Sequence, residues 1–166
     1  MKNILSRRSI RKFTDQTVSD EQITSLLKAA MSAPSAANKQ PWEFIVIRKR
    51  ETLDKIPEFH KYTKMLATAN LAIVVCGNTT KADTRGFWIQ DCAAATQNIL
   101  LAANSLSLGS VWCGVYPNEE IYPQMQKLLE LPEEIYPVSI IALGYPDEEK
   151  PPSERYDENK IHHEKW

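Results

Sequence analysis

Cysteine is scarce in this chain: three among 166 residues, Cys76, Cys92 and Cys113, widely spaced and without a C-x-x-C pair. An odd, scattered set speaks against a disulfide framework and suits a reducing compartment, where each thiol acts as a small hydrophobe. Histidine is no richer. His60 stands alone and His162 and His163 form a pair, with no ligand-spaced cysteine or carboxylate beside either. A zinc site needs three or four convergent ligands, so no metal is expected. Only five glycines occur, Gly77, Gly86, Gly109, Gly114 and Gly144, and none belongs to a G-x-G-x-x-G or Walker loop. A doubly wound dinucleotide fold and a P-loop NTPase are therefore disfavoured. Long apolar runs are missing too: those at 71–76 and 99–103 fall far short of the roughly 20 residues of a membrane span. The opening MKNILSRRSIRKF has no apolar core and no small-residue cleavage site, so a cytoplasmic protein with no membrane partner is expected. A net charge of -1, from 20 basic and 21 acidic residues, leaves no global field for a polyanion. Nucleic acid is not an expected partner.

What the chain does contain is a globular composition. With 43% hydrophobic and 25% charged residues, positions 1–166 read as a single domain with a sizeable core. Ser19-Asp20-Glu21-Gln22 forms a capping box, and Ile23, Leu26, Leu27, Ala30 and Ala33 follow at helical spacing until Pro34. After a polar loop at 35–40, residues 44–47 read as a strand, and Thr52 as the start of a short helix that stops at Pro57. The uninterrupted apolar run 71–76 predicts a strand buried on both faces, hence central. Residues 84–107 carry the longest helical pattern, small or apolar nearly all round, and so buried in the core or against a partner chain. A strand at 110–115 with Trp112 and Cys113 on opposite faces, a helix opening at Pro117-Asn118-Glu119-Glu120, and a strand at 137–143 follow. Beyond Gly144 the chain turns polar and proline-rich, and residues 146–166 read as an extended arm, ordered only by what it lies upon.

The basic charges are unevenly placed: Lys2, Arg7, Arg8, Arg11 and Lys12 all precede the first acid, Asp15. A solvated face is one reading of such a run. An anion site is the other, since Arg7, Arg8 and Ser9 offer guanidinium forks and a hydroxyl to a phosphate. Five segments extend the second reading: R-R-S-I-R-K-F at 7–13, A-P-S-A-A-N-K-Q-P-W-E-F at 33–44, D-C-A-A-A-T-Q-N-I-L-L-A-A at 91–103, L-G-S-V-W-C-G at 108–114 and A-L-G-Y-P at 142–146. Together, and in this order, they resemble the flavin-dependent nitroreductase superfamily across essentially the whole chain. The resemblance implies an α+β fold with a mainly antiparallel central sheet flanked by helices. It also implies a C-terminal arm exchanged across a homodimer, and one non-covalent FMN per subunit at the dimer interface.

By that resemblance Arg7 and Ser9 hold the FMN phosphate, Arg8 the ribityl chain and ring edge, and Arg155 gives a second grip on the phosphate. A free surface charge is the alternative reading of Arg155. Arg11 and Lys64 fall where cations face the flavin pyrimidine and favour the reduced, anionic form. Pro34, Ser35, Ala36, Asn38 and Gln40 fall in the loop that contacts the cofactor, its Ser35 end reaching across the dimer in many relatives. Ordinary turn chemistry is the alternative for Asn38 and Gln40. Cys113 and Gly114 lie where a main-chain N–H faces flavin N5, and glycine permits close approach there. Three departures stand out. Cys113 replaces the acidic or small residue usual at its position, Ser153 replaces a basic residue that often accompanies the tail arginine, and the lid-forming insertion of larger members is missing. Trp42, Trp88 and Trp112 are expected in the core or an interface. The implied activity is that of an FMN-dependent oxidoreductase with NADH or NADPH as reductant. Nitroaromatics, quinones or similar small molecules would be the acceptors, by ping-pong hydride transfer with no side chain needed as acid or base. A flavin-binding carrier or sensor without reductase turnover is the alternative.

Overall fold

The apolar run at 71–76 becomes the middle of the sheet. In the computed structural model, which describes residues 1–82 and 85–166, it lies within strand β2, Leu71–Asn78. Strands β1 (Trp42–Ile47), β3 (Gly109–Gly114) and β4 (Ile135–Gly144) join it in the order β1-β2-β4-β3, every pairing antiparallel. Side chains alternate across a strand, so Leu71, Ile73 and Val75 enter one core with helices α2 (Asp20–Met31) and α4 (Trp88–Ser105). Ala72, Val74 and Cys76 enter a second core with Leu53 and Ile56 of α3 (Arg50–Phe59) and Met125 of α5 (Tyr122–Leu128). A strand sandwiched between two helical layers has no wet face, which is why β2 is apolar without interruption. The α+β fold with an antiparallel sheet flanked by helices is thus the one expected. No described helix is long and apolar enough to cross a membrane.

Local signals set most of the elements. The capping box forms in full: Gln22 N–H donates to Ser19 Oγ at 3.2 Å, and Ser19 N–H donates to Gln22 Oε1 at 3.0 Å. Two helices differ from expectation. Pro57 does not stop α3, because it forfeits one hydrogen bond in the last turn, while Leu53 and Ile56 just before it are fully buried and His60 N–H closes the end on Ile56 O at 3.0 Å. The helix expected from Pro117 begins only at Tyr122. Asn118 spends its side chain on Glu120 N–H at 2.9 Å, building a turn instead of a cap. The long helix is α4; Thr84, where it was expected to start, lies outside the described residues. Its Thr96 Oγ1 meets Ser139 Oγ of β4 at 2.8 Å in the buried seam. A short N-terminal helix, α1 (Lys2–Ser6), has no sequence signal and is tied to α4 by Asn3, whose side-chain amide donates to Leu101 O at 2.9 Å. Trp42 and Trp88 are buried, whereas Trp112 stands on the outer face of edge strand β3, 37% exposed.

The arginine-rich segment is laid along that edge. Ile10 N–H donates to Ser110 O at 3.0 Å, and Thr14 N–H to Tyr145 O at 2.9 Å. Gly109 and Gly144 make the close approach possible: a Cβ at Gly109 would stand 2.8 Å from Ile10 Cγ2, and one at Gly144 3.0 Å from Phe13 Cδ1. The start of the tail then covers the segment, through Asp147 N–H on Lys12 O at 2.9 Å and Lys150 Nζ on Ser9 O at 2.6 Å. From Pro151 onward the arm is almost wholly exposed, ending with Tyr156 and Trp166 in solvent.

Candidate functional site

Three arginines meet where the N-terminal segment passes under the tail. Arg7 is half-buried, and its guanidinium makes no hydrogen bond or ion pair among the described residues. Burial, then the charges of Arg155 and Arg8, hold its guanidinium below the ordinary value. Arg8 is partly committed: Nε donates to Pro151 O at 2.7 Å, and Nη1 to Leu5 O at 2.7 Å and Arg7 O at 2.6 Å. Its third nitrogen, Nη2, is buried with no partner among the described residues. Ser9 is anchored by its main chain, in a parallel bridge to Ser110, and its hydroxyl has no partner among the described residues. Beside them lies a cavity of about 410 Å³ lined by Arg7, Arg8, Asn104 and Ser110.

A second constellation sits at the far end of the same edge. Arg11 and Tyr62 are shared by two cavities, one of about 290 Å³ with His60, Cys113 and Gly114, and one of about 640 Å³ with Lys64. Here a residue without any sequence signal organises the backbone. His60 is 1% exposed, and its Nε2 lies 2.8 Å from Gly114 O, which makes Nε2 the protonated nitrogen. Its Nδ1 has no partner. Burial, opposed by the Gly114 carbonyl, lowers its pKa, so the ring is neutral at pH 7. His60 O also accepts from Thr63 N–H at 3.0 Å and Thr63 Oγ1 at 2.6 Å, so one residue joins the turn bearing Lys64 to the end of β3. Cys113 Sγ donates to Tyr62 O at 3.4 Å. Burial pushes this thiol up to about 11, with Arg11 opposing, so it is a packed donor and not a nucleophile. A Cβ on Gly114 would meet nothing within 4 Å, so the approach to this main chain is open.

The 34–40 loop is built differently and stands apart. Ala37, Asn38 and Gln40 adopt left-handed backbone angles, φ 50°, 53° and 48°. Ser35 Oγ accepts from Gln40 N–H at 2.9 Å, and Gln40 Nε2 donates to Asn38 Oδ1 at 3.0 Å. Turn chemistry is therefore real for Asn38 and Gln40. The loop is moored by Asp91 of α4, whose Oδ1 accepts from Ala36 N–H at 2.9 Å while its buried Oδ2 has no partner among the described residues. The sequence did offer one hint of this role: Asp91 is the lone acid in an otherwise small and apolar helix. Pro34, Ser35 and Ala36 line a cavity of about 300 Å³ against Asp91 and Phe87, and share no lining residue with the cavities of the β3 edge. One chain thus unites Arg7, Arg8, Ser9, Arg155, Arg11, Lys64, Cys113 and Gly114 along one edge, and leaves the loop on α4.

The chain also matches known proteins. The model of the nitroreductase family matches residues 4–61 and 57–145. This chain belongs to the nitroreductase family. A Methanothermobacter thermautotrophicus protein, provisionally named NADH dehydrogenase/NAD(P)H nitroreductase, is 50% identical over 163 residues, which are 98% of this chain and 85% of that one. An FMN-dependent nitroreductase from Clostridium difficile superposes with a TM-score of 0.91 at 34% identity, over 100% of both chains. The NADPH:FMN oxidoreductase of Vibrio harveyi, solved with NAD+, superposes at 0.88 with 26% identity, over 99% of this chain and 76% of that one. The nitroreductase family implies FMN, and the residues present fit it. A phosphate dianion suits the like charges of Arg7, Arg8 and Arg155 and the unpartnered Nη2, and the Cys113–Gly114 main chain is open to approach.

Proposed function

We propose that this nitroreductase-family chain is an FMN-dependent NAD(P)H oxidoreductase that reduces nitroaromatics, quinones or similar small acceptors by a ping-pong cycle in the cytoplasm. The observation that carries the reading is the half-buried guanidinium of Arg7, held close to the like charges of Arg155 and Arg8 and without an ion pair among the described residues. Bound FMN supplies the hydride acceptor and the store of two electrons. Arg7, Arg8, Ser9 and Arg155 hold its phosphate and ribityl chain, while Arg11 and Lys64 set positive charge at its pyrimidine edge, where they favour the reduced form. His60 fixes the Gly114 carbonyl and so orients the Cys113–Gly114 main chain toward the ring. No side chain is required as acid or base, which suits a site whose buried thiol and imidazole both stay neutral at pH 7.

The whole chain acts as one domain, and two copies form the working unit. The 34–40 loop shares no cavity with its own β3 edge, so a second copy brings Pro34, Ser35, Ala36, Asn38 and Gln40 to the site. The exposed arm beyond Pro151, with Tyr156 and Trp166 in solvent, wraps that second copy. The test is the absorption spectrum of the purified protein, followed by NADH or NADPH under argon. A yellow protein bleached by either nucleotide and re-oxidised by a quinone is expected. A yellow protein that neither nucleotide bleaches would be a carrier or sensor.

A further inference from the structure

We propose that the cationic cavity of about 640 Å³ beside Tyr62 docks the 2′-phosphorylated adenosine of NADPH, so that NADPH and not NADH is the preferred reductant. This rests on the oxidoreductase reading above. The cavity is lined by Arg11, Lys12, Lys61 and Lys64, with Asp147 the one acid in its lining. None of the four cations has a carboxylate partner among the described residues. FMN carries one phosphate, and Arg7, Arg8 and Arg155 already answer it. Arg11 and Lys64 also serve the flavin pyrimidine, but a cavity that adds Lys12 and Lys61 to them carries more positive charge than that neutral ring edge needs. Lys12 and Lys61 in particular have no role in holding a flavin.

The shape of the wall points to a nucleotide. Tyr62 is 66% exposed, and Lys61 Nζ stands 5.1 Å from its ring centroid, so a flat apolar face and a cation are presented side by side. A purine stacks on such a face while its phosphates take the lysines. Tyr62 also forms the partition with the flavin side: its carbonyl accepts from Cys113 Sγ at 3.4 Å, and it lines both cavities together with Arg11. A ligand spanning the partition has one flat end on the flavin side, stacked on the ring that faces the Cys113–Gly114 main chain, and a phosphorylated end among the lysines. A nicotinamide dinucleotide has that form. The 2′-phosphate is the group that four cations against one acid reward, because it adds a near-dianion to the pyrophosphate.

The test uses the full-length protein as purified, with 2′,5′-ADP and 5′-AMP as calorimetric probes. The wild type is expected to bind 2′,5′-ADP about tenfold or more tightly than 5′-AMP, and the Lys12→Gln/Lys61→Gln double variant to lose that margin. Lys61→Arg should restore it, which a general loss of folding would not allow. In steady-state kinetics the ratio of KM for NADH to KM for NADPH should fall toward one in the double variant. Equal binding of the two probes by the wild type overturns the proposal, as does an undiminished margin in the double variant. Failure of the oxidoreductase reading looks different. A colourless protein that still selects 2′,5′-ADP leaves the nucleotide site standing, whereas a yellow, bleachable protein with no selectivity removes the site alone.

Discussion

The two halves of the site are held by opposite means. The 7–13 segment is pinned through its main chain, by Ile10 on Ser110 and Thr14 on Tyr145, and the charges of Arg7, Arg11 and Lys12 are left without an ion pair among the described residues. The 34–40 loop is closed on itself through side chains, by Ser35 on Gln40 N–H and Gln40 on Asn38, and is fastened to the fold by the single carboxylate of Asp91. Pinning by backbone frees charged groups for a ligand, while closure by side chains consumes polar groups to shape a surface. The first half is therefore suited to seize a phosphate and the second to line a ring. Their separation on one chain is the physical case for a second copy.

The strongest way to break this comparison is to remove what covers the pinned half. A chain ending at Gly144 loses Arg155, the Pro151 carbonyl that holds Arg8, and the Lys150 contact to Ser9. It should be colourless and poorly soluble, and sedimentation should show the dimer gone. A yellow, well-folded monomer would place the whole site within one chain. Arg7→Ala takes away charge without touching the main-chain pins. With charge-assisted hydrogen bonds worth about 1.5–3 kcal/mol, FMN affinity should fall roughly ten- to hundredfold in a fluorescence titration. An unchanged dissociation constant would put the phosphate elsewhere.

Asp91→Ala tests the other half. It frees Ala36 N–H but also removes a buried carboxylate oxygen that has no partner, so the net cost should be only about 1 kcal/mol. That corresponds to about 2–4 °C in Tm for a chain of this size. FMN binding should weaken with it, and inorganic phosphate binding should not. The smallest expected effect belongs to His60. Its folded pKa lies below the ordinary 6.5, so below that pH the unfolded chain binds more protons than the native one. Stability is then full above about pH 6.5 and declines as the pH falls further. Thermal melts between pH 7.5 and 5.5 should show the decline, and His60→Gln, which keeps a donor for Gly114 O, should flatten it. A slope unaltered by that substitution would assign the acid sensitivity to other groups.

Much of this molecule is legible in its sequence. The capping box at Ser19, the both-faces-buried strand at 71–76 and the opposite facings of Trp112 and Cys113 depend on spacings of a few residues, and a chain displays those directly. So do the segments that mark the nitroreductase family. Where the local rules compete, the sequence misled: Pro57 stands inside a helix because buried Leu53 and Ile56 outweigh one lost hydrogen bond, and Asn118 makes a turn rather than a cap. The tertiary structure alone decided three things. It set His60 against Gly114, 54 residues away, where no pattern of neighbouring residues could announce the contact. It gathered Arg11, Lys12, Lys61 and Lys64 around one cavity from two distant stretches. And it gave the 34–40 loop to Asp91 of α4 instead of to the arginines. The reason is common to all three. Periodicity encodes which face of an element is buried, but which elements then touch is settled by long-range hydrogen bonds and by glycines such as Gly109 and Gly144 that let one backbone lie on another.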